Sequence, residues 1–148
     1  MGQITYIDTS LLVKRYLPEM GSNELEARLL AEQPQLVVSE LASTEIISTF
    51  RRKERQGLIE RSFANAAHAR FLTDLQTNAI QTLPLTSHVV QKASSLLLDL
   101  RAPLATLDAL HLASALIHGA DLFFTSDIQL SRAAQEAGLG VWPDFPVL

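Results

Sequence analysis

Ile4-Thr5-Tyr6-Ile7-Asp8-Thr9-Ser10 is the stretch on which the fold turns. Its first four residues, β-branched and aromatic, read as a strand. An acid and two hydroxyl residues then stop the strand where a helix begins, running to about Tyr16. The same grammar recurs downstream. Leu36-Val37-Val38 is continuously apolar, as in a strand buried on both faces, and Ser39 opens a long helix ending in Arg51-Arg52-Lys53 with Gly57 beyond. Leu122-Phe123-Phe124-Thr125 leads to a helix from Gln129 to Ala137. Between these, Ser22 is placed to cap a helix carrying Leu25, Leu29 and Leu30, and positions 60–74 form an Ala-rich helix with Phe63, Ala67, Phe71 and Leu75 as its series. Ala79 to Leu83 and Val141-Trp142 add strands; Val89 to Leu100 and Thr106 to His118 add helices. Strands alternating with helices predict an α/β fold with a parallel sheet covered on both faces. Right-handed crossovers put the carboxyl ends of the strands along one rim, where such sheets bind ligands. Pro143 to Leu148 is left as a candidate tail.

The bulk numbers agree with one domain over residues 1–148. Hydrophobic residues make up 47% and charged residues 19%, which excludes a disordered or collagen-like chain. Without cysteine there is no disulfide scaffold, thiolate zinc site or cysteine nucleophile. No apolar run reaches the ~20 residues that span a bilayer, and the N-terminus lacks the features of a signal peptide. These features predict a soluble, cytoplasmic protein. A net charge of −4 excludes a surface basic all over but not a local basic groove.

Four carboxylates fall where this topology gathers side chains. Asp8 follows the first strand, and Glu45 sits about two turns into the helix after the second. Asp108 lies just inside the helix from Thr106, and Asp127 stands two residues past Thr125. Each also has a structural reading. Asp8 suits an N-cap. Ser126 and Gln129 make an S-x-x-Q capping box that puts Asp127 in a first helical turn. Asp108 is near a helix start, although Leu112 and Ala115 continue its stripe. Glu45 shares a face with Leu41, Ser48, Thr49 and Arg52, as a surface glutamate does. Brought together, four acids repel one another. A hard divalent cation removes that cost, and an all-oxygen donor set selects Mg²⁺ or Mn²⁺. Such an ion polarises a phosphodiester and acidifies a bound water.

Asp8-Thr9-Ser10-Leu11-Leu12-Val13-Lys14, Glu45 ahead of Phe50-Arg51-Arg52, Leu107-Asp108-Ala109-Leu110-His111-Leu112-Ala113 and Thr125-Ser126-Asp127 resemble the PIN-domain nucleases, most closely the VapC toxins of VapBC toxin–antitoxin pairs. The resemblance spans nearly the whole chain, with the motifs in the family's order. It implies a three-layer α/β/α fold with a short, twisted, mostly parallel sheet of four or five strands. It also implies Mg²⁺- or Mn²⁺-dependent endoribonuclease activity and a catalytic, metal-holding quartet of Asp8, Glu45, Asp108 and Asp127. A homodimer and a VapB-like antitoxin partner are implied as well. Glu40 is the nearby acid that competes with Glu45 for its place.

Around the quartet, Thr9, Ser10, Thr125 and Ser126 are candidate substrate-orienting hydroxyls that capping explains equally well. Arg51, Arg52, Lys53, Arg55 and Arg61 suit an RNA-phosphate flank, with Arg51 and Arg52 as candidate substrate contacts. They equally suit a solvated helix C-terminus. Lys14 and Arg15 are open to both readings. His111 tempts as a general base but reads as a hydrogen-bonded structural histidine. Three rivals remain: a non-toxin RNA-processing nuclease of the same fold, a non-catalytic binding module, and a haloacid-dehalogenase-like phosphotransferase. The last needs an Asp where Ser10 stands.

Overall fold

Adjacent residues of a strand point to opposite faces of a sheet, so a strand buried on both sides needs apolar residues at every position. The computed structural model, which describes residues 2–144, shows central strands buried on both sides and mostly apolar, with Thr5 and Ser39 the buried polar exceptions. The elements run β1 (Ile4–Ile7), α1 (Thr9–Leu12) extended by a 3₁₀ turn (Val13–Arg15), α2 (Ser22–Glu32), β2 (Gln35–Ser39), α3 (Leu41–Arg55) and α4 (Arg61–Gln76). They continue through β3 (Gln81–Leu83), α5 (Ser87–Asp99), α6 (Thr106–Ile117), β4 (Leu122–Phe124), α7 (Ile128–Glu136) and β5 (Gly140–Trp142). All five strands pair in parallel in the order β3-β2-β1-β4-β5.

Ile7, Leu36, Val38 and Phe124 face one core with Leu11, Leu25, Ile46 and Phe71 from α1–α4. Tyr6, Val37, Leu83 and Phe123 face the other with Val89, Leu112 and Leu130 from α5–α7. The result is the expected three-layer α/β/α arrangement, with five strands and a wholly parallel sheet. From β1 the chain builds outward first to β2 and β3, then to β4 and β5. The carboxyl end of β1 is therefore the switch point at which such sheets open a crevice.

Some local expectations shift. Ser22 is not the cap of α2: Gly21 takes that position in the left-handed region (φ 93°), and the Ser22 hydroxyl instead accepts the Glu19 N–H at 3.0 Å. Ser39 ends β2, and its hydroxyl accepts the Leu41 N–H as α3 begins. On α4 the buried series is Ala64, Ala67 and Phe71, so Phe63 falls one position off the stripe and is 46% exposed. Phe63 lies instead in a surface groove with Leu17, Pro18, Leu58 and Ile59. Of the candidate tail, residues 145–148 lie outside the described residues.

Truncating Phe71, fully buried and edge-on to Tyr16, is expected to cost about 3–5 kcal/mol as Phe71→Ala. Phe63→Ala is expected to cost less than about 1 kcal/mol. Urea unfolding of the two variants checks the orientation of α4; equal losses would contradict it.

Candidate active site

Asp8 is the first residue after β1 and only 3% exposed. Its Oδ1 accepts the Ser10 hydroxyl at 2.7 Å and the Leu11 N–H at 3.2 Å, which makes it the N-cap of α1. Its Oδ2 accepts the Thr125 hydroxyl at 2.8 Å. Thr125 Oγ1 in turn accepts the Asp127 N–H at 3.0 Å, and Ser10 Oγ accepts the Ser126 N–H at 3.2 Å. The hydroxyls at the ends of β1 and β4 thus lace two loops around one carboxylate.

Asp127 is itself the N-cap of α7, with Oδ1 accepting from Gln129 and Leu130 N–H at 2.8 and 3.1 Å. The Ser126–Gln129 capping box expected from the sequence does not form. The reason is that Asp127, one residue closer to the helix, takes the Gln129 N–H, while the Ser126 N–H goes to Ser10 Oγ. Glu45, in the second turn of α3, is gripped at Oε1 by the Thr9 hydroxyl (2.7 Å) and by His111 Nε2 (2.6 Å). Asp108 lies in the first turn of α6. Glu40 points elsewhere, accepting the Leu85 N–H.

All four predicted acids line one cavity of about 310 Å³, together with Thr9, Ser10 and Arg52 of the predicted substrate contacts. Thr125 is buried beneath Asp8, and Ser126 contributes its backbone N–H to Ser10. Arg51 is not in the cavity: it pairs with Glu54 and lines a separate pocket between α3 and α4. Sequence reasoning missed Glu19, Thr49 and Lys53 as cavity residues; Lys53 was seen only as part of a basic run. It also missed Tyr6. The Tyr6 hydroxyl takes the Ser39 N–H (3.2 Å) and meets His111 Nδ1 (2.5 Å). His111 is therefore the hydrogen-bonded histidine the sequence suggests. With a neutral ring one proton arrangement satisfies the whole chain: Tyr6 O–H donates to Nδ1, and Nε2–H donates to Glu45.

The environment separates the acids. Burial pushes Asp8 up to about 6, against the pull of the His111 charge and the Ser10, Thr125 and Leu11 donors. Asp108 is raised by burial and by repulsion from Asp127 and Glu45. Burial also pushes Glu45 upward, but the hydrogen bond and charge of His111 and the Thr9 hydroxyl outweigh it and hold the carboxyl below its usual range. Burial disfavours the imidazolium, yet Glu45, Asp8 and Asp108 outweigh it and raise His111.

No three His, Asp or Glu side chains among the described residues stand as a closed ligand set. The donor chemistry nevertheless suits a hard cation. Glu45 Oε2, Asp127 Oδ2 and both Asp108 oxygens take no hydrogen bond among the described residues, and their side chains line the shared cavity.

Comparisons with known proteins give the family and the fold. The PIN domain family model matches residues 5–136. Ribonuclease VapC47 of Mycobacterium tuberculosis (strain CDC 1551 / Oshkosh) is 33% identical over 138 residues, covering 90% of this chain and 91% of that protein. The chain belongs to the PIN domain family. Among solved structures, Mycobacterium tuberculosis VapC20, a Sarcin-Ricin loop cleaving toxin, superposes with a TM-score of 0.65 at 20% identity, over 87% of this chain and 94% of that one. VapBC2 from Rickettsia felis, bound to a fragment of its promoter DNA, gives 0.68 at 15% identity, over 95% and 98%. FitAcB from Neisseria gonorrhoeae gives 0.68 at 16%, over 94% and 96%.

The raised Asp8 has a thermodynamic signature. Its carboxyl binds a proton more readily folded than unfolded, so stability falls as pH rises from about 4 to about 6, and the full penalty applies above that. Asp8→Asn in metal-free buffer is therefore expected to stabilise the protein by on the order of 1–3 kcal/mol at pH 7, with the gain disappearing towards pH 4. Denaturant melts across that range check the sign. Tyr6→Phe strands the Ser39 N–H and the His111 Nδ1 position, and should cost about 1–3 kcal/mol in the same assay.

Proposed function

We propose that the chain is a metal-dependent endoribonuclease that hydrolyses RNA phosphodiesters and serves as the toxin of a type II toxin–antitoxin pair. The observation that carries this reading is the shared cavity that Asp8, Glu45, Asp108 and Asp127 line at the switch point of the sheet. Asp8 and Asp108 would be the principal holders of Mg²⁺ or Mn²⁺, with Glu45 and Asp127 completing the set. When bound, such a cation supplies Lewis acidity at a phosphoryl oxygen and a more acidic water.

The chain's own residues do the remaining work. Ser10, Thr125 and the Leu11 N–H fix the Asp8 carboxylate in orientation, so it enters the site preorganised. Thr9 and His111 occupy Oε1 of Glu45 and favour its ionised form, which leaves Oε2 as an acceptor for a water proton. Arg52 is exposed on the same cavity and attracts the phosphodiester. Attack by water fits better than attack by a protein nucleophile. A haloacid-dehalogenase-like phosphoaspartyl at Asp8 needs a second Asp two residues on, where this chain has Ser10, whose hydroxyl donates to Asp8 Oδ1.

The 33% identity to a VapC ribonuclease and the fold shared with toxins and toxin–antitoxin complexes support the biological role, a VapB-like antitoxin partner included. The reading extends to a homodimer in the cytoplasm. Exposed Val90, Leu97 and Leu98 on α5 offer apolar surface for the dimer. Among the described residues no helix is long and apolar enough to cross a membrane.

With purified protein, Asp8→Asn and Asp108→Asn are each expected to cut Mg²⁺- or Mn²⁺-dependent RNA cleavage by about a hundredfold or more with the fold retained. Undiminished cleavage by either variant would remove that residue from the mechanism. Millimolar Mg²⁺ or Mn²⁺ should raise the wild-type melting temperature by a few degrees, about 3 kcal/mol at a hundredfold excess over Kd, and should leave Asp108→Asn unmoved. A wild-type curve indifferent to both ions would count against the metal site.

A further inference from the structure

Glu19 is a fifth acid on the wall of the cavity, and its surroundings differ from those of the other four. Lys53 Nζ, from the last turn of α3, donates to Glu19 Oε2 at 3.1 Å. Lys14 Nζ, from the 3₁₀ turn after α1, stands 3.5 Å from Oε1 and donates to the Met20 carbonyl at 2.6 Å. One carboxylate on the loop between the 3₁₀ turn and α2 thus gathers two ammonium groups from separate elements. Arg52, next to Lys53 and lining the same cavity, holds no ion pair among the described residues.

We infer that Lys14, Arg52 and Lys53 form a subsite for a backbone phosphate of the bound strand, flanking the acidic quartet, and that in the free protein the Glu19 carboxylate occupies this subsite as an intramolecular stand-in for the phosphate. The inference rests on the nuclease reading and adds where the strand is gripped. A polyanion entering a cavity with four acids needs cations on its path, and Arg52 and Lys53 are the lysine and arginine side chains that line this cavity. The two lysines are neither free nor deeply buried: their side chains are 15% and 21% exposed and that of Glu19 is 29% exposed. Solvent still reaches both ion pairs, which limits what they add to stability and lets another anion compete for the two ammonium groups. A phosphodiester presents the same paired anionic oxygens as a carboxylate, so the swap keeps each ammonium group partnered.

A purely structural clamp would behave in the opposite way, because Glu19→Gln would then loosen the loop and weaken binding. The test measures a labelled, short, mixed-sequence single-stranded oligoribonucleotide by fluorescence anisotropy in an Asp8→Asn background, where the strand is not cut. Adding Glu19→Gln is expected to tighten binding about threefold to tenfold and to steepen log K against log salt by roughly 0.7 per phosphate newly engaged. Lys53→Met on top of Glu19→Gln should erase the gain. The gain should be the same across base sequences, since phosphate contacts carry no base information.

Unchanged or weaker binding by Glu19→Gln, or no measurable binding by either protein, overturns the subsite, as does a gain confined to one base sequence. Cleavage assays with Asp8 intact separate this from the fate of the nuclease reading. Tighter binding without any metal-dependent cleavage keeps the subsite and sinks the catalytic role. Normal cleavage with no gain on Glu19→Gln sinks the subsite alone.

Discussion

A carboxylate buried at the end of the central strand is the constraint on which the rest of the molecule depends. Asp8 has lost nearly all its contact with water, and an isolated charge in that position is costly. The surrounding chain answers with donors drawn from two loops: Ser10 and the Leu11 N–H on its own side, and Thr125 from the end of β4. This requires β1 and β4 to be neighbours, which they are in register. It also requires both strands to end at the same level, with polar residues directly after Ile7 and Phe124. The incomplete compensation is recorded in the carboxyl itself, held near 6 despite those donors. A group that remains electrostatically unsatisfied inside a folded protein still favours a cation.

The other acids are differentiated by what holds them. Glu45 has a dedicated relay: β2 backbone to Tyr6, Tyr6 to His111, His111 to Glu45, which ties the sheet to α6 and α6 to α3. The side chain of Tyr6 packs flat against Phe123 in one core while its hydroxyl serves the cavity. Asp108 has no such support, and its neighbours Asp127 and Glu45 repel it. One member is thus kept ionised by a histidine, one is buried among hydroxyls, and one stands unbonded beside like charges. In the proposed reaction a cation would relieve the last two and leave the first to accept a proton.

The sequence carried the sheet and the quartet because each rests on local rules. Short β-branched or aromatic runs bounded by polar residues marked the strands, and Asp8, Asp108 and Asp127 stand directly after strands or near helix starts, while Glu45 lies a turn further into α3. What it did not carry depends on rotation and long-range approach. Phe63 and Ala64 both fit a helical apolar series, and only the packing of α4 on α3 decides which turns inward. Arg51 and Arg52 are adjacent, yet the helix sends one to Glu54 and the other to the cavity. Glu19 sits in a loop with no periodicity, and its lysine partner lies 34 residues away. The S-x-x-Q pattern at Ser126 was real as a pattern but lost to a better-placed competitor, Asp127.

That competition shows why the capping and functional readings of these acids are not alternatives. In a parallel α/β layer the chain leaves a strand and enters a helix within a residue or two, so the N-cap of the helix stands on the rim where ligands bind. A carboxylate there can give one oxygen to the helix N–H groups and keep the other for the cavity, as Asp127 does with Oδ1 and Oδ2. Asp8 does the same for α1 with Oδ1, while Oδ2 takes a single hydroxyl donor. The helix termini add partial positive charge, which eases the crowding of negative groups. The capping bond also fixes the rotamer, so the other oxygen is held in a set direction. Substituting a serine cap would preserve the helix but remove the charge and the second oxygen together, so the acid offers the rim something that a neutral cap cannot.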